Sequence, residues 1–419
     1  MTRIIKTLFV FCLPLLSIAQ QDSLWNHFPS FFDHPFRSEK AGSFLVVEGQ
    51  YTQDASGANN ALLWRMSTKQ RLDQDLIAQN ADKAKLKNLM GFDGRFSVAY
   101  YNLNQGFLKR DSLHYFVRYG FVDHAGASYS DEFFRLVGQG NKAFEGDTAN
   151  GNGFVLNRTR FDYIDFGVMK FFSNHSNLAV SLGLTRGIRF SDVDGSRFSV
   201  YTAEYGTSTY WDLDITAKLT PGKEQSMMDV NGMGLQLNFD YKGLLGPDGA
   251  YAIGARNLGF ISWKGKQYTK KDTFTYNGWY APDYASFYDS DGGNSFDSMA
   301  NQFRPDSSSF RSAELLPAYI YAEYTMKLFG KQSLSFRFDK VINTPMVPRV
   351  SVAYTYFCGD WYGVTRVSTG GYTRFNLSQE VALRKGNHFF RAMFYGIQAW
   401  AFPKKAAGLG GGFGYSWMF

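Results

Sequence analysis

The chain has 419 residues, a formal charge of +7 and a pI near 9.1, with 18% aromatic residues, 42 Gly and two Cys. Its Lys and Arg are dispersed, which argues against a nucleic-acid-binding face, and beyond the N-terminal stretch no apolar run approaches 18 residues, which excludes a transmembrane helix. The two cysteines, Cys12 and Cys358, exclude a disulfide framework.

The first element is a secretory signal: Arg3 and Lys6, the apolar run LFVFCLPLLSIA, then Ser17 and Ala19 before a cleavage at Gln20. Removing residues 1–19, which carry two positive charges, takes the length from 419 to 400 and the formal charge from +7 to +5. Residues 20–42 are expected to form a periplasmic or plug segment, and 43–419 an outer-membrane barrel. Strand-like stretches follow at 43–52 and 59–68, then a short amphipathic helix over 70–89, with Leu72, Leu76, Ile77, Ala81 and Ala84 at roughly helical spacing. Strands are expected at 92–102, 112–122 and 160–172, with a helical fragment DEFFRLV and a turn-rich segment inside 130–159.

The central third shows the clearest period of two. NLAVSLGLT, WDLDITAKL and GLQLNFDY alternate, and the second sets Trp211, Leu213, Ile215, Ala217 and Leu219 against Asp212, Asp214, Thr216 and Lys218. A further strand covers 249–263, and a long insertion over 279–314 lacks alternation. Strands resume at 315–329, in LSFRFDK and RVSVAYTYF, and at 361–368, 374–384, 387–401 and 407–418. Strands of about nine to fourteen residues exceed the soluble mean of about five or six and suit a tilted bilayer crossing of about nine to eleven. Charges on the polar face, among them Asp212, Asp214, Asp240, Arg337 and Asp339, fit a wet lumen better than a sandwich core. The expected fold is therefore all-β: a transmembrane antiparallel β-barrel of about 14 strands, with short helices in loops or as a plug. Closure follows because lipid tolerates no open sheet edge.

The tail GFGYSWMF has Tyr415, Trp417 and Phe419 on one face and Gly412 and Gly414 on the other. It resembles the C-terminal assembly signal of bacterial outer-membrane proteins, carried here by Gly414, Trp417 and Phe419, with Gly412 where that pattern usually has a polar residue. The resemblance implies recognition by the barrel-assembly machinery and outer-membrane lipid around the wall.

Motifs for chemistry are sparse. Asp289, Asp291, Asn294 and Asp297 supply oxygen ligands, but their spacing lacks the order of a calcium loop and its terminal Glu, so a solvated loop is the expectation and no metal is assigned. The run GLGGGFG has no following helix to hold a phosphate. No G-x-S-x-G, H-E-x-x-H or C-x-x-C occurs, the six His show no ligand spacing, and His114 beside Asp111 and Ser112 is expected in a turn. No catalytic residue and no cofactor are assigned.

Three stretches, GNKAFEG (140–146), RNLGFISWKG (256–265) and LLPAYIYAEY (315–324), resemble Bacteroidetes-type outer-membrane barrels that share a general shape with FadL-like and PorV-like proteins. The resemblance implies a barrel of about fourteen strands in the Gram-negative outer membrane, in a group that holds transporters of hydrophobic compounds and accessory subunits of a secretion machinery. Two functions follow. The favoured one is a non-enzymatic accessory or anchor subunit that binds other outer-membrane or secretion-system proteins through the 279–314 loop, where Trp279, Tyr280, Tyr284, Phe287 and Tyr288 offer rigid apolar surface. The alternative is a passive transporter of a small or hydrophobic solute.

Overall fold

The computed structural model describes residues 42–419 apart from 69–72, 105, 109–111, 174–175, 222–228, 247, 278–302 and 330. The strands in chain order are β1 Ser43–Ala55, β2 Asn88–Asn102, β3 Leu113–Tyr129, β4 Thr148–Asn150, β5 Phe154–Ser173, β6 Ser176–Thr202, β7 Thr209–Leu219, β8 Gly232–Leu245 and β9 Gly249–Tyr276. The second half holds β10 Asp306–Leu315, β11 Ala318–Lys327, β12 Gln332–Ile342, β13 Val347–Cys358, β14 Trp361–Gly371, β15 Thr373–Lys385, β16 His388–Tyr395 and β17 Leu409–Met418. Among the described residues four α-helices are delimited between strands: α1 Asn60–Ser67, α2 Gln74–Ala81, α3 Asp131–Gln139 and α4 Ile397–Ala401.

All seventeen described strands belong to one sheet. Fourteen of them make a closed antiparallel barrel, because β17 pairs with both β16 and β1. The other three, β4, β7 and β10, pair only with the far ends of β6 and β9. β6 shows how this arises. Its first half, Ser176 to Gly187, pairs with β8 in the wall, and its second half, Ser191 to Thr202, pairs with β7 above it.

Closure is made at Ser43 and Phe419, which exchange two backbone hydrogen bonds of 2.9 Å. That end also carries mostly tight turns, whereas the other carries the helices and the β7 extension. Short turns face the periplasm and long loops the exterior in barrels of this kind, so the helical end is the outer end.

Alternation sorts the wall into two faces. Along β13, Val350, Val352 and Tyr354 are exposed to the outside while Ser351, Ala353 and Thr355 are buried in the lumen. On β12, Phe336 and Phe338 point outward and Ser335, Arg337 and Asp339 inward. Near the inner membrane edge, His388 stacks on Tyr415 and Trp417, which fits an aromatic girdle.

Several expectations are corrected. Residues 59–68 form no strand: Asn59 accepts a hydrogen bond from the Leu62 amide at 3.0 Å and so caps α1, while Leu62 and Leu63 are buried. The helix expected over 70–89 is limited to α2, and Asn88 and Leu89 already open β2. Residues 306–314 of the expected insertion lie in β10, paired with β9. The strand expected over 387–401 ends at Tyr395, where Gly396 takes a left-handed conformation (φ 75°) and α4 begins. His114 is no turn residue but a buried member of β3, edge-on to Phe171 at 5.4 Å.

Asp212 and Asp214 share the sheet face that carries Ile261 and Trp263 in the lumen, but beyond the barrel wall. They lie on β7, above the wall, where Arg197 approaches them at 3.3 and 3.9 Å and Lys271 reaches Asp214 at 3.2 Å. The apolar face of β7 is the covered one. Trp211 packs on Phe198, Phe274 and Phe303, and Leu213 is buried, while Asp212 and Asp214 on the opposite face are half-buried.

Candidate functional site in the lumen

The lumen is filled in tiers. Toward the periplasm the filling is aromatic and aliphatic: Tyr101, Phe116, Met169 and Phe171 pack together. Gly167 belongs to this tier because a side chain there would enter the Phe116 ring.

Above it lies a layer of buried charge. Asp165 of β5 accepts hydrogen bonds from Gln236 at 2.8 Å and Asn238 at 3.1 Å, with Arg118 at 3.9 Å. Asp240 accepts from Arg256 at 2.8 Å and from the Tyr321 hydroxyl at 2.6 Å. The sequence alternation of β8 puts Gln236, Asn238, Asp240 and Lys242 on the inner face, and all four are buried. Buried ions persist only when paired and hydrogen-bonded, and here each carboxylate has two or more donors.

The outer half of the lumen divides across its width. On the β3–β10 side, Phe161, Phe190, Ile261, Trp263 and Leu316 form an apolar wedge. On the other side a cavity of about 130 Å³ opens between β1, β2 and β11–β16. Three ion-pair groups border it. Arg95 grips Asp93 through Nε at 2.5 Å and Nη2 at 2.9 Å. Arg337 donates to Glu323 at 2.5 Å and to the Tyr319 hydroxyl at 2.8 Å, and Arg349 pairs with Asp339 at 2.9 Å. The Tyr395 hydroxyl donates to Asp54 at 2.8 Å.

His124 connects β2 to the turn between β14 and β15. Its Nδ1 lies 2.9 Å from Asp93 and its Nε2 3.0 Å from the Tyr372 hydroxyl. A carboxylate only accepts, so Nδ1 carries a proton and donates to Asp93. Tyr372 sits in the turn between β14 and β15 and reaches across the mouth to make its bond with His124.

Arg366 differs from its neighbours. It lines the same cavity from β14 and donates to the Ser351 hydroxyl at 3.4 Å, yet it makes no ion pair among the described residues. The cavity thus offers one guanidinium not committed to a carboxylate, beside the tyrosine rings 319, 372 and 395.

Of the residues singled out from sequence, Asp240 and Arg337 face the lumen and are buried, in the middle and outer tiers. Gly414 faces inward beside Arg391, whereas Trp417 and Phe419 are 40% and 51% exposed on the outside. Trp279, Tyr280, Tyr284, Phe287, Tyr288, Asp289, Asp291, Asn294 and Asp297 lie outside the described residues, as do residues 1–41. Sequence reasoning missed Asp93, His124, Arg349, Arg366 and Tyr372. The alternation of β13 and β14 would have pointed Arg349 and Arg366 inward, but nothing in a strand pattern brings β2, β3 and the β14–β15 turn together.

No curated protein matches this chain. Its backbone is similar to solved outer-membrane barrels. The P. putida toluene transporter TodX is 8% identical, with 91% of each chain covered and a TM-score of 0.46. The Ralstonia pickettii toluene transporter TbuX is 9% identical, over 91% of this chain and 90% of that one, at a TM-score of 0.42. A Pseudomonas aeruginosa FadL homologue is 8% identical, over 90% and 89%, at 0.36. Residues 54–377 match the family of unknown function DUF5723, and the chain belongs to that family.

Proposed function

We propose that this protein is a passive outer-membrane transporter of a small solute, non-enzymatic, with the outer-lumen cavity as its docking chamber. The observation that carries the reading is Arg366, a guanidinium without an ion-pair partner among the described residues, set in a cavity of about 130 Å³ whose other arginines are neutralised. Such a site suits a compact solute with one anionic or strongly accepting group on an aromatic or aliphatic body. Pockets of this kind combine apolar lining with a few placed polar groups. The charged layer below acts as the gate, since it blocks a continuous water path while the solute waits above it. In this reading the chain is exported with cleavage before Gln20, inserted by the barrel-assembly machinery, and surrounded by outer-membrane lipid.

Flux into proteoliposomes tests the proposal, with benzoate and phenylacetate as anionic probes and toluene as the uncharged control. Wild-type protein should admit the carboxylates, and Arg366→Gln should lower their flux about tenfold while toluene changes little. A tenfold loss corresponds to about 1.4 kcal/mol. Equal flux through wild type, variant and empty vesicles would sink the reading. The accessory role favoured from the sequence, where polar lumen residues argued against a greasy conduit, uses the aromatic residues of the 279–314 loop, most of which fall outside the described residues. A specific co-purifying partner lost on loop deletion, with flux unchanged, would restore it.

A further inference from the structure

The outward face of the wall carries charge where only lipid contact is expected. Along β5, residues 158, 160, 162, 164, 166 and 168 share one face, with no register break against β3. Ile164, Phe166 and Val168 are exposed and lie on the lipid side with Leu182 and Leu184 of β6. Directly above them on the same face stand Asp162, Arg160 and Arg158. From Lys170, at the inner edge, to Asp162 is eight residues, about 26 Å along a strand. At a tilt of 35–45° this spans roughly 20 Å, close to the apolar band of about 25 Å in such barrels. The arginines therefore sit at headgroup level of the outer leaflet.

Their charge is unbalanced. Asp123 accepts from Arg158 at 2.9 and 2.7 Å and from Arg160 at 2.9 and 2.6 Å. Arg189 of β6 stands directly opposite Arg160 in the register and makes no ion pair among the described residues. Three guanidiniums thus face one carboxylate, a net of +2. Like charges directly opposite on a sheet are destabilising, and a bound anion would relieve the pair. The next pair down, Asp162 with Arg186, is internally balanced.

An apolar cavity adjoins the cluster. About 340 Å³ in volume, it lies on the same outer face, lined by Met90, Phe92, Ala127, Leu156 and Arg158, with Met66 of α1 over it. Arg158 is shared between cavity and cluster, and its guanidinium also lies 5.2 Å from the Phe92 ring centre. A greasy cavity beside surplus guanidiniums, at the level of headgroups, has the shape of an amphiphile site.

We propose that this face binds a phosphate-bearing glycolipid of the outer leaflet, its phosphate held by Arg158, Arg160 and Arg189 and part of an acyl chain lodged in the cavity beneath Met66. Guanidinium forks match phosphate oxygens in charge and geometry. The site is separate from the lumen chamber, so its failure would leave the transport reading untouched.

The test is native mass spectrometry of the full-length protein in mild detergent, with added diphosphorylated lipid A, fully dephosphorylated lipid A, or inorganic phosphate. Wild type should retain diphosphorylated lipid A at least tenfold better than the dephosphorylated form. Arg189→Gln should lower retention several-fold without unfolding, since no ion pair is broken, and Arg158→Gln with Arg160→Gln should abolish it. Ala127→Trp, which fills the cavity, should weaken both lipid A forms. Heat modifiability on gels checks that each variant is folded. Equal retention of the two lipid A forms, undiminished binding by folded Arg189→Gln, or full displacement by millimolar inorganic phosphate would overturn the proposal.

Discussion

At the scale of single residues, the lumen is held by ions that have left water and found fixed partners. Arg337 illustrates the balance: it pairs with Glu323, bonds the Tyr319 hydroxyl and lies over the Tyr321 ring at 4.7 Å. Replacing it with Leu leaves Glu323 and Asp339 facing a dry interior with less cation nearby. Breaking a buried pair from one side costs about 3–5 kcal/mol. Arg337→Leu should therefore lower the urea midpoint of the barrel in detergent clearly, and an unchanged midpoint would mean that water hydrates the network. Exposed pairs behave differently. Arg197, nearly half exposed beside Asp212 and Asp214, should cost no more than about 1 kcal/mol when changed to Gln, measured in the same titration.

At the scale of elements, β17 is the strand on which closure depends. It lies between β16 and β1, and its last residue exchanges two backbone bonds with Ser43. Removing Phe419 deletes both bonds and the ring packed on Trp417 at 4.8 Å. The expected outcome is a chain that accumulates unfolded in the periplasm or is degraded, read by fractionation and immunoblot. Normal levels of membrane-embedded barrel would count against a role for Phe419 in assembly. The β7–β9 extension makes a second case. Phe303 packs edge-on against Phe274 at 4.9 Å, so the described chain before 278 and after 302 meets at this contact. Replacing that segment with a short Gly-Ser linker should leave the barrel folded, because every pairing of the wall remains. Loss of the folded band would show that the segment supports the wall itself.

At the scale of the whole molecule, the fold inverts a soluble protein. Apolar side chains face outward, and much of the polar inventory is gathered into the lumen. A closed sheet leaves no edge to fray, so the protein should migrate anomalously on a gel unless boiled, and should resist carbonate extraction from membranes. Complete release by carbonate would exclude a spanning barrel. The tiers give the lumen a direction as well. Its outer half holds a cavity and its inner half is packed, so a solute arriving from outside meets space before it meets a barrier.

What the sequence determined by itself is the part that depends on local period. Alternation in RVSVAYTYF, LSFRFDK and GLQLNFDY placed Val350, Phe336 and Leu237 outside and Ser351, Arg337 and Asp240 inside, because a strand side chain has only two directions. For Asp212 and Asp214 the same rule gave the face but not the height: opposite Thr273 and Lys271 of β9 they continue the face that carries Ile261 and Trp263, above the wall. Alternation says that two faces differ but not where along the barrel a strand stands, and β7 stands above the wall, where Phe198, Phe274 and Phe303 cover the apolar side. Residues 59–68 failed for another reason: a single side-chain cap at Asn59 and burial of Leu62 and Leu63 tip a short ambiguous run into a helix. Only the tertiary structure could bring Asp93, His124 and Tyr372 together, since the last two are 248 positions apart. The outward cluster of Arg158, Arg160 and Arg189 likewise needed the register, because one bulge between Arg160 and Phe161 sets which residue of β6 stands opposite. Period is a property of one strand, and the sites of this protein are properties of several.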